Sequence, residues 1–451
     1  MKSGIDFTKG SIGKQIILFS IPMLIGNVFQ QAYSMIDGVI VGRFVGGPAL
    51  ASVGVAMGVT HLFIAALIGF TTGSSVVISQ FYGAKQEEEL KRTVATSIVF
   101  LGALSLLMAV LGYLFAPHLL RLLNTTDEIF ADALIYLRIM MLGMVFPVFY
   151  NMYTAYLRAL GDSRSPLYIL IGATILNAVL NIIAVVILRQ GVMGAAVTTI
   201  MAQSIATVAC YLYTRRFVPL LSIRKLAFDK ELFKQILRYG LPAAFQLSFV
   251  MIASLTITRL INSFGTVAIA SIVAANKVDS LALMPISNVS MALSTFVGQN
   301  LGAGQEERAK KGLRSTMLIM GGMVAVISTC LMFFSPHILA LFLDTADVHT
   351  ADILTLGSQY LEVLVIFYFL FGLLFAFNGF LRGVGDAVAA MTMPIISLGI
   401  RTLSAYLLVL WLGMGPVALA WSIPIGWGIA SLVSFTYYRS NRWRGKAVVQ
   451  T

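Results

Sequence analysis

Charged side chains are scarce in this sequence. Lys, Arg, Asp and Glu account for 11% of its 451 residues, whereas a water-soluble domain carries about 25%. Hydrophobic residues make up 58% of the chain. The 31 basic and 19 acidic side chains cannot cover a water-exposed body of this size, so the composition excludes a single soluble core. It predicts an integral membrane protein.

Residue types that carry catalysis or bind metals are also few. The two cysteines, Cys210 and Cys330, lie inside apolar runs and predict neither a disulfide framework nor a metal site. The four histidines lack metal-ligand spacing, and there is no Gly-x-x-x-x-Gly-Lys-[Ser/Thr] loop for nucleotide phosphates. We therefore expect no enzyme, no cofactor, no bound metal and no ATP-driven pump. The net charge of +12 falls in short clusters between apolar runs, which is typical of membrane-protein loops and not of nucleic-acid binding.

Long apolar runs dominate the chain. A spanning helix needs about 20 mostly apolar residues, and twelve runs meet that requirement. They lie near residues 15–42, 50–80, 93–115, 130–155, 166–188, 193–214, 235–262, 268–298, 314–334, 352–380, 390–412 and 415–438.

Lys and Arg are distributed unequally between the two sides of these spans. With the N-terminus in the cytoplasm, 24 of them fall on the cytoplasmic side and 4 on the opposite side. The positive-inside rule then predicts a multi-pass protein of the cell membrane with both termini in the cytoplasm.

The sequence repeats itself at a spacing of 219 to 224 residues. Residues 80–88 read QFYGAKQEE and residues 299–307 read QNLGAGQEE, with six of nine positions identical. The pattern Leu-Arg-x-x-Gly-Asp occurs at 157–162 and again at 381–386. The glutamates suit the first turn of a helix, where its dipole favours acids, and the Gly-Asp pairs are expected to shape turns.

Each copy of the repeat holds six spans, so both copies enter the membrane from the same side. This arrangement is the parallel repeat of alternating-access carriers. The predicted fold is all-α, with twelve transmembrane helices in two six-helix lobes. The first lobe is expected at 1–215, a cytoplasmic linker at 216–230 and the second lobe at 231–451.

Polar side chains inside the first-lobe spans form one candidate site. Asp37 lies in span 1, Asn177 and Asn181 are four residues apart on one face of span 5, and Thr199 lies in span 6. These oxygen-bearing side chains suit a bound proton or a hard cation such as Na⁺. Two alternatives remain open: Asp37 pairs with Arg138, and the asparagines only join helices by hydrogen bonds.

The second lobe carries a different set of charges. Glu362 in span 10 and Arg401 in span 11 both fall near mid-membrane, where they can pair. Lys277 and Asp279 in span 8 add one charge of each sign. We interpret this set, with Arg138 of the first lobe, as a secondary charge network for structure or gating, with direct ion coupling as the alternative.

The order of these features resembles the multidrug and toxin extrusion (MATE) family. The resemblance rests on Pro22 in span 1, the two QxxGAxQEE segments and the two LRxxGD segments, and it covers about residues 10–440. It implies a secondary antiporter that exports organic, often cationic and amphipathic, compounds in exchange for H⁺ or Na⁺ by alternating access. We expect a monomer in the bilayer.

The resemblance also assigns roles to residues. Asp37, in YSMIDGVIVG, matches the family's coupling acid, and Asn177, Asn181 and Thr199 match its partners from spans 5 and 6. Some members have a carboxylate where Asn181 stands, and others have acids in spans 7 and 10 that are absent here, which weakens the expectation of Na⁺ coupling. The alternative function is a flippase for lipids or lipid-linked oligosaccharides with a related fold.

Overall fold

The computed structural model describes residues 4–223, 226–342 and 349–449. Within these ranges the regular elements are all helices. They are α1 (Ile12–Phe44), α2 (Gly47–Gly83), α3 (Glu87–Leu122), α4 (Asp127–Leu142), α5 (Val145–Ala159), α6 (Arg164–Asn181), α7 (Gly191–Phe217), α8 (Lys230–Asn262), α9 (Thr266–Gly302), α10 (Glu306–Ala340), α11 (Thr350–Val384), α12 (Ala387–Tyr406) and α13 (Ala418–Arg439), with π-helical turns at Ile182–Ile187 and Leu407–Trp411 and a 3₁₀ turn at Pro219–Leu221.

Eleven helices in the described ranges are long and apolar enough to span a membrane, and the bent pair α4 and α5 completes the predicted twelve. The pair bends by 49° between Leu142 and Val145. Pro147 explains why one helix cannot run through, because its ring nitrogen has no hydrogen to donate to a carbonyl one turn earlier. The prediction of an all-α fold with twelve spans is confirmed.

The sequence repeat is also a repeat of structure. Helices α2 and α9 each have 37 residues. Each follows a glycine with positive φ, 123° at Gly46 and 85° at Gly265, a conformation that side chains other than glycine rarely adopt. Helices α2 and α9 therefore begin 219 residues apart, which is the spacing of the sequence repeat.

Both Gly-Asp pairs shape turns, as predicted. Asp162 accepts hydrogen bonds from the Ser165 backbone N–H at 3.0 Å and from the Tyr213 hydroxyl at 3.2 Å. In the second copy, Asp386 accepts from the Ala389 N–H at 3.2 Å and from the hydroxyl of Tyr437. Each aspartate thus caps the helix that follows it.

The chain forms two compact units. The first unit is Met1–Asp6 with Ile21–Phe245, and the second unit is Phe7–Ser20 with Gln246–Thr451. These units depart from the predicted lobes at two segments, because Phe7–Ser20 belongs to the second unit and the start of α8 belongs to the first. Residues 224 and 225 of the predicted linker lie outside the described residues, and the lobe boundary itself stays a prediction.

Close contact between backbones attaches the start of α8 to the first unit. A Cβ atom added to Gly69 of α2 would lie 2.7 Å from the Ala244 Cβ, and one added to Gly73 would lie 2.6 Å from the Gly240 Cα. Real Cβ contacts are not this short. Only glycine at these two positions of α2 lets α8 approach so closely.

Candidate functional site

A buried carboxylate on α1 is the centre of the site in the first unit. Asp37 is only 4% exposed, in a helix whose neighbouring turns are mostly apolar. Its two carboxylate oxygens accept hydrogen bonds from different helices. Asn181 Nδ2 of α6 donates to Oδ1, and Thr199 Oγ1 of α7 donates to Oδ2 at 3.4 Å. The structure therefore brings together three of the predicted site residues.

The fourth predicted residue lies one helical turn away. Asn177 is 1% exposed and Asn181 is fully buried, and Asn181 Nδ2 lies 3.4 Å from Asn177 Oδ1. The Asn177 side-chain nitrogen is buried and has no hydrogen-bond partner among the described residues. It is a donor that a bound water or substrate group can use.

Thr198 belongs to the site but was not predicted. Its hydroxyl lies 2.6 Å from Asn181 Oδ1 and donates to it. Because Oδ1 is held in this way, the NH₂ group of Asn181 faces Asp37. The same hydroxyl, which has one proton to donate, also lies 3.0 Å from the backbone oxygens of Gly194 and Ala195, the usual alternative acceptors for a threonine in a membrane helix.

Two tyrosines complete the surroundings of the carboxylate. Tyr33, one turn before Asp37 on α1, and Tyr136 of α4 both lie within electrostatic range of Asp37. The Tyr33 hydroxyl is buried and makes no hydrogen bond in the described part of the chain. The sequence offered a signal for Tyr33, since positions i and i+4 share one face of a helix.

Arg138 does not neutralise Asp37. No ion pair joins the two side chains within the described ranges. The Arg138 guanidinium instead lies 4.9 Å from the centre of the Tyr113 ring, and its Nε is buried and has no hydrogen-bond partner among the residues that the structure describes. The alternative of a structural Asp37–Arg138 pair is therefore wrong. Position along a helix predicts depth in the membrane but not the direction of the side chain.

The charges of the second unit are arranged differently from the prediction. Tyr368 donates a hydrogen bond to Asp279 Oδ1 at 2.8 Å, and Arg401 interacts electrostatically with Asp279 and Tyr360. Glu362 is exposed and forms no ion pair with Arg401 in the described chain. The predicted Glu362–Arg401 pair is wrong because Tyr360 and Glu362 project from opposite faces of α11.

Lys277 also stays apart from Asp279 and Arg401. Its side chain is exposed, and its ammonium group lies 5.9 Å from the centre of the Phe342 ring. Lys277 and Asp279 are two residues apart, so they too project from opposite faces of α9. The members of the predicted network that lie close together in this unit are Asp279 and Arg401, both half-buried.

The second copy of the repeat has no acid at the position of Asp37. Helix α6 ends at Asn181 before a π-helical turn, and α12 ends at Tyr406 before another. The Tyr406 hydroxyl donates to the backbone oxygen of Thr256 at 3.2 Å, and Thr256 follows Asp37 by 219 residues. A neutral contact thus replaces the carboxylate–amide pair, and the two copies are chemically unequal.

Substitution of Thr198 tests how the amide is oriented. For the antiport that the resemblance implies, with Asp37 as the coupling acid, we expect Thr198→Val to lower the rate by about five- to tenfold, a factor that corresponds to one hydrogen bond, because the Asn181 amide is then free to turn its oxygen toward the carboxylate. The measurement is the initial rate of substrate-driven ion movement in liposomes. Thr174→Val is the matched control, because Thr174 donates only to the backbone of its own helix, at Leu170. Equal rates in both variants would contradict this role of Thr198.

Comparison with known proteins agrees with this architecture. The family model MatE matches residues 22–183 and 242–407. The probable multidrug resistance protein YpnP of Bacillus subtilis (strain 168) is 29% identical over 442 residues, which cover 97% of each chain. The multidrug export protein MepA of Staphylococcus aureus (strain MSSA476) is 24% identical over 393 residues, 86% of each chain.

A solved structure gives the same result for the fold. It is described as the outward-facing conformation of a multidrug resistance MATE family transporter of the MOP superfamily. It superposes with a TM-score of 0.88 at 25% identity and covers 97% of each chain. Since the family model matches most of the chain and the relatives match it almost from end to end, this protein belongs to the MatE family, the multidrug and toxin extrusion family that its motifs resemble.

Proposed function

We propose that this chain is a secondary antiporter of the cell membrane that exports organic cations in exchange for H⁺, with Asp37 as the proton-binding group. One observation carries the proposal: the Asp37 carboxylate is buried in a span, and its hydrogen-bond donors, Asn181 and Thr199, are both neutral. The names of the relatives, which include multidrug resistance and multidrug export proteins, support the substrate class.

The environment of Asp37 favours exchange of a positive charge. An ionised carboxylate at membrane depth is costly without a counter-charge, and no cation pairs with Asp37 in the described part of the chain. Two neutral donors stabilise the anion only in part. Either a proton or a cationic substrate supplies the missing charge, and competition between the two for one carboxylate links their transport.

The orientation of Asn181 supports H⁺ over Na⁺. A sodium ion bound at Asp37, Asn177, Asn181 and Thr199 needs oxygen lone pairs directed at it. Here the Asn181 oxygen accepts from Thr198 and its NH₂ group faces the carboxylate. A proton on Asp37 needs no further oxygen ligand, whereas Na⁺ requires the amide to rotate away from Thr198.

The charge count sets the energy source. In the proposed cycle the monomer alternates its access, with both termini in the cytoplasm. One H⁺ entering for one monovalent cation leaving moves no net charge. The membrane potential, worth about 2.3 kcal/mol per charge at 100 mV, then contributes nothing, and the pH gradient alone drives export.

Purified protein in liposomes with an internal pH dye tests this function. Ethidium serves as the cationic substrate, in Na⁺-free buffer under an imposed pH gradient. We expect ethidium to drive proton movement that is unchanged when Na⁺ is added. Ethidium flux that requires Na⁺ would show that the coupling ion is Na⁺ and not H⁺. Absence of flux with either ion would contradict antiport and favour the flippase alternative.

A further inference from the structure

The segment that precedes α1 is held in place by a set of side chains in the second unit. We call residues 7–10 the arm, and Gln299, Asn300 and Arg308 the anchor. The Phe7 backbone N–H donates to Gln299 Oε1 at 3.4 Å, and the Phe7 carbonyl oxygen accepts from Asn300 Nδ2 at 3.1 Å. The arm, although outside any helix, thus has buried hydrogen bonds at both backbone groups of Phe7.

Arg308 contacts both the arm and α1. Its Nε donates to the Phe7 oxygen at 3.1 Å, and its Nη2 donates to the Gly10 oxygen at 2.9 Å and to Gln15 Oε1 at 3.3 Å. One planar guanidinium therefore joins the arm to the first turn of α1. A lysine has no such fork of donors.

The side chain of Phe7 adds an apolar contact. Phe7 is fully buried, with its ring centre 5.1 Å from that of Phe19 and 5.7 Å from that of Phe296, both edge to face. Phe19 belongs to α1 and Phe296 to α9. The arm and the first turns of α1 are therefore packed into the second unit as core.

Helix α1 connects this anchored end with Asp37. It is continuous from Ile12 to Phe44, but Phe7–Ser20 belongs to the second unit and the helix from Ile21 onward belongs to the first. Asp37 lies 17 residues beyond Ser20, about 25 Å along the helix axis. One continuous helix thus begins in the second unit and carries Asp37 in the first.

We propose that Arg308 is a positioning residue for ion coupling, which fixes the start of α1 in the second unit so that changes at Asp37 are transmitted along the helix. The inference rests on the proposed function. Exchange of proton for substrate changes the hydrogen bonds of Asp37 with α6 and α7 and so displaces α1. That displacement acts on the second unit only if the start of the helix is held there.

The inference also gives the duplicated QxxGAxQEE segment a role. Gln299 is its first residue in the second copy and binds the arm. In the first copy, Gln80 is fully buried, and the segment before α8 is held in the first unit, where the Asp229 N–H donates to Thr96 Oγ1 at 3.1 Å. In the second copy, residues at the end of α9 and near the start of α10 hold the segment that leads into α1. In the first copy, Thr96 of α3 holds the segment that leads into α8.

Arg308→Gln is the test, with the ratio of protons to ethidium moved in liposomes as the readout. We expect the ratio to depart from that of the wild type by at least about fivefold, the lower end of ordinary coupling between sites. We expect the variant to move more protons per ethidium, because protons cross without substrate, and we expect the KM for ethidium to be unchanged. Lys311→Gln, an exposed position in the same helix, is the matched control and is expected to keep the wild-type ratio. Arg308→Lys is expected to restore the ratio only in part.

Hydrogen exchange supplies a second readout that does not depend on transport. The Phe7 amide is expected to exchange at a different rate in Asp37→Asn than in the wild type, because coupling between two sites is reciprocal. A wild-type ratio in Arg308→Gln, or identical Phe7 exchange in the wild type and Asp37→Asn, would overturn the inference. Absence of proton movement in the wild type would instead overturn the proposed function, and the exchange experiment would still test the link between arm and Asp37.

Discussion

Asp37→Asn is expected to reduce substrate-driven proton movement at least about 100-fold, to the level of empty liposomes. An asparagine fills the same space and still accepts a hydrogen bond from Asn181, so packing around α1 is retained. It cannot bind and release a proton, and it presents no negative charge to a cationic substrate. Loss of a buried charge-assisted interaction of about 3 kcal/mol corresponds to this factor.

The control for this variant is Asp132→Asn. Asp132 is an exposed aspartate on α4 of the same unit, and its substitution removes the same charge outside the site. We expect it to transport at the wild-type rate. Proton movement that survives in Asp37→Asn would show that another group carries the proton, and Asp279, a half-buried carboxylate of the second unit, would be the next to test.

Gly69→Ala is expected to unfold the first unit or to lower its thermal stability strongly. The added methyl group would lie 2.7 Å from the Ala244 Cβ and closer still to the backbone of that residue. Neither the added methyl group nor the backbone of Ala244 can rotate away from this contact. Helix α2 and the start of α8 must therefore separate. Overpacking of this kind costs about 1–3 kcal/mol, or more where backbone must move. The midpoint of thermal unfolding in detergent measures the loss.

A second glycine of α2 provides the matched control. Gly54 has no atom within 4 Å of an added Cβ, so Gly54→Ala meets no obstacle. Alanine has a higher helix propensity than glycine by up to about 1 kcal/mol, and we expect the midpoint to stay the same or rise slightly. Equal loss of stability in both variants would mean that the contact at Ala244 is not what makes Gly69 necessary.

The spans and the centre of the site could be predicted because they depend on composition and depth. Apolar runs of sufficient length are helices in a membrane, since the backbone has no other way to satisfy its hydrogen bonds there. Asp37 was found because ionisable groups inside such runs are rare and costly. Asn177 and Asn181 followed from their spacing on one helix face.

The partners of the charged side chains could not be predicted, because they depend on how each helix is rotated. A helix that is apolar on all sides gives no pattern from which to tell its buried face. Arg138 and Glu362 were therefore assigned to partners with which they form no ion pair in the described ranges. Thr198 was missed for a related reason: nothing in the sequence distinguishes a threonine that bonds its own backbone from one that also fixes a neighbouring amide.

The sequence also could not predict that α1 begins in the second unit and continues in the first, or that α8 begins in the first unit and continues in the second. Helix α1 shows no break near Ser20, since Pro22 lies inside a continuous helix. What assigns Phe7–Ser20 to the second unit is a set of contacts with residues almost 300 positions away, such as Gln299 and Asn300. The local sequence pattern gives no information about contacts between residues so far apart in the chain.

The hydrogen bond between Tyr406 and Thr256 has a consequence for the ancestry of the chain. A half-length ancestor that paired with its own copy would have had two identical sites, and each would have held an exchangeable proton or none. Fusion into one gene allowed the halves to diverge, and here the later half has a phenol hydroxyl bonded to a backbone oxygen where the first half has its carboxylate. The halves are no longer interchangeable. On the proposed mechanism, in which Asp37 carries the proton, a chimera built from two copies of the first half is expected to exchange twice the charge in each cycle, and one built from two second halves none at this position.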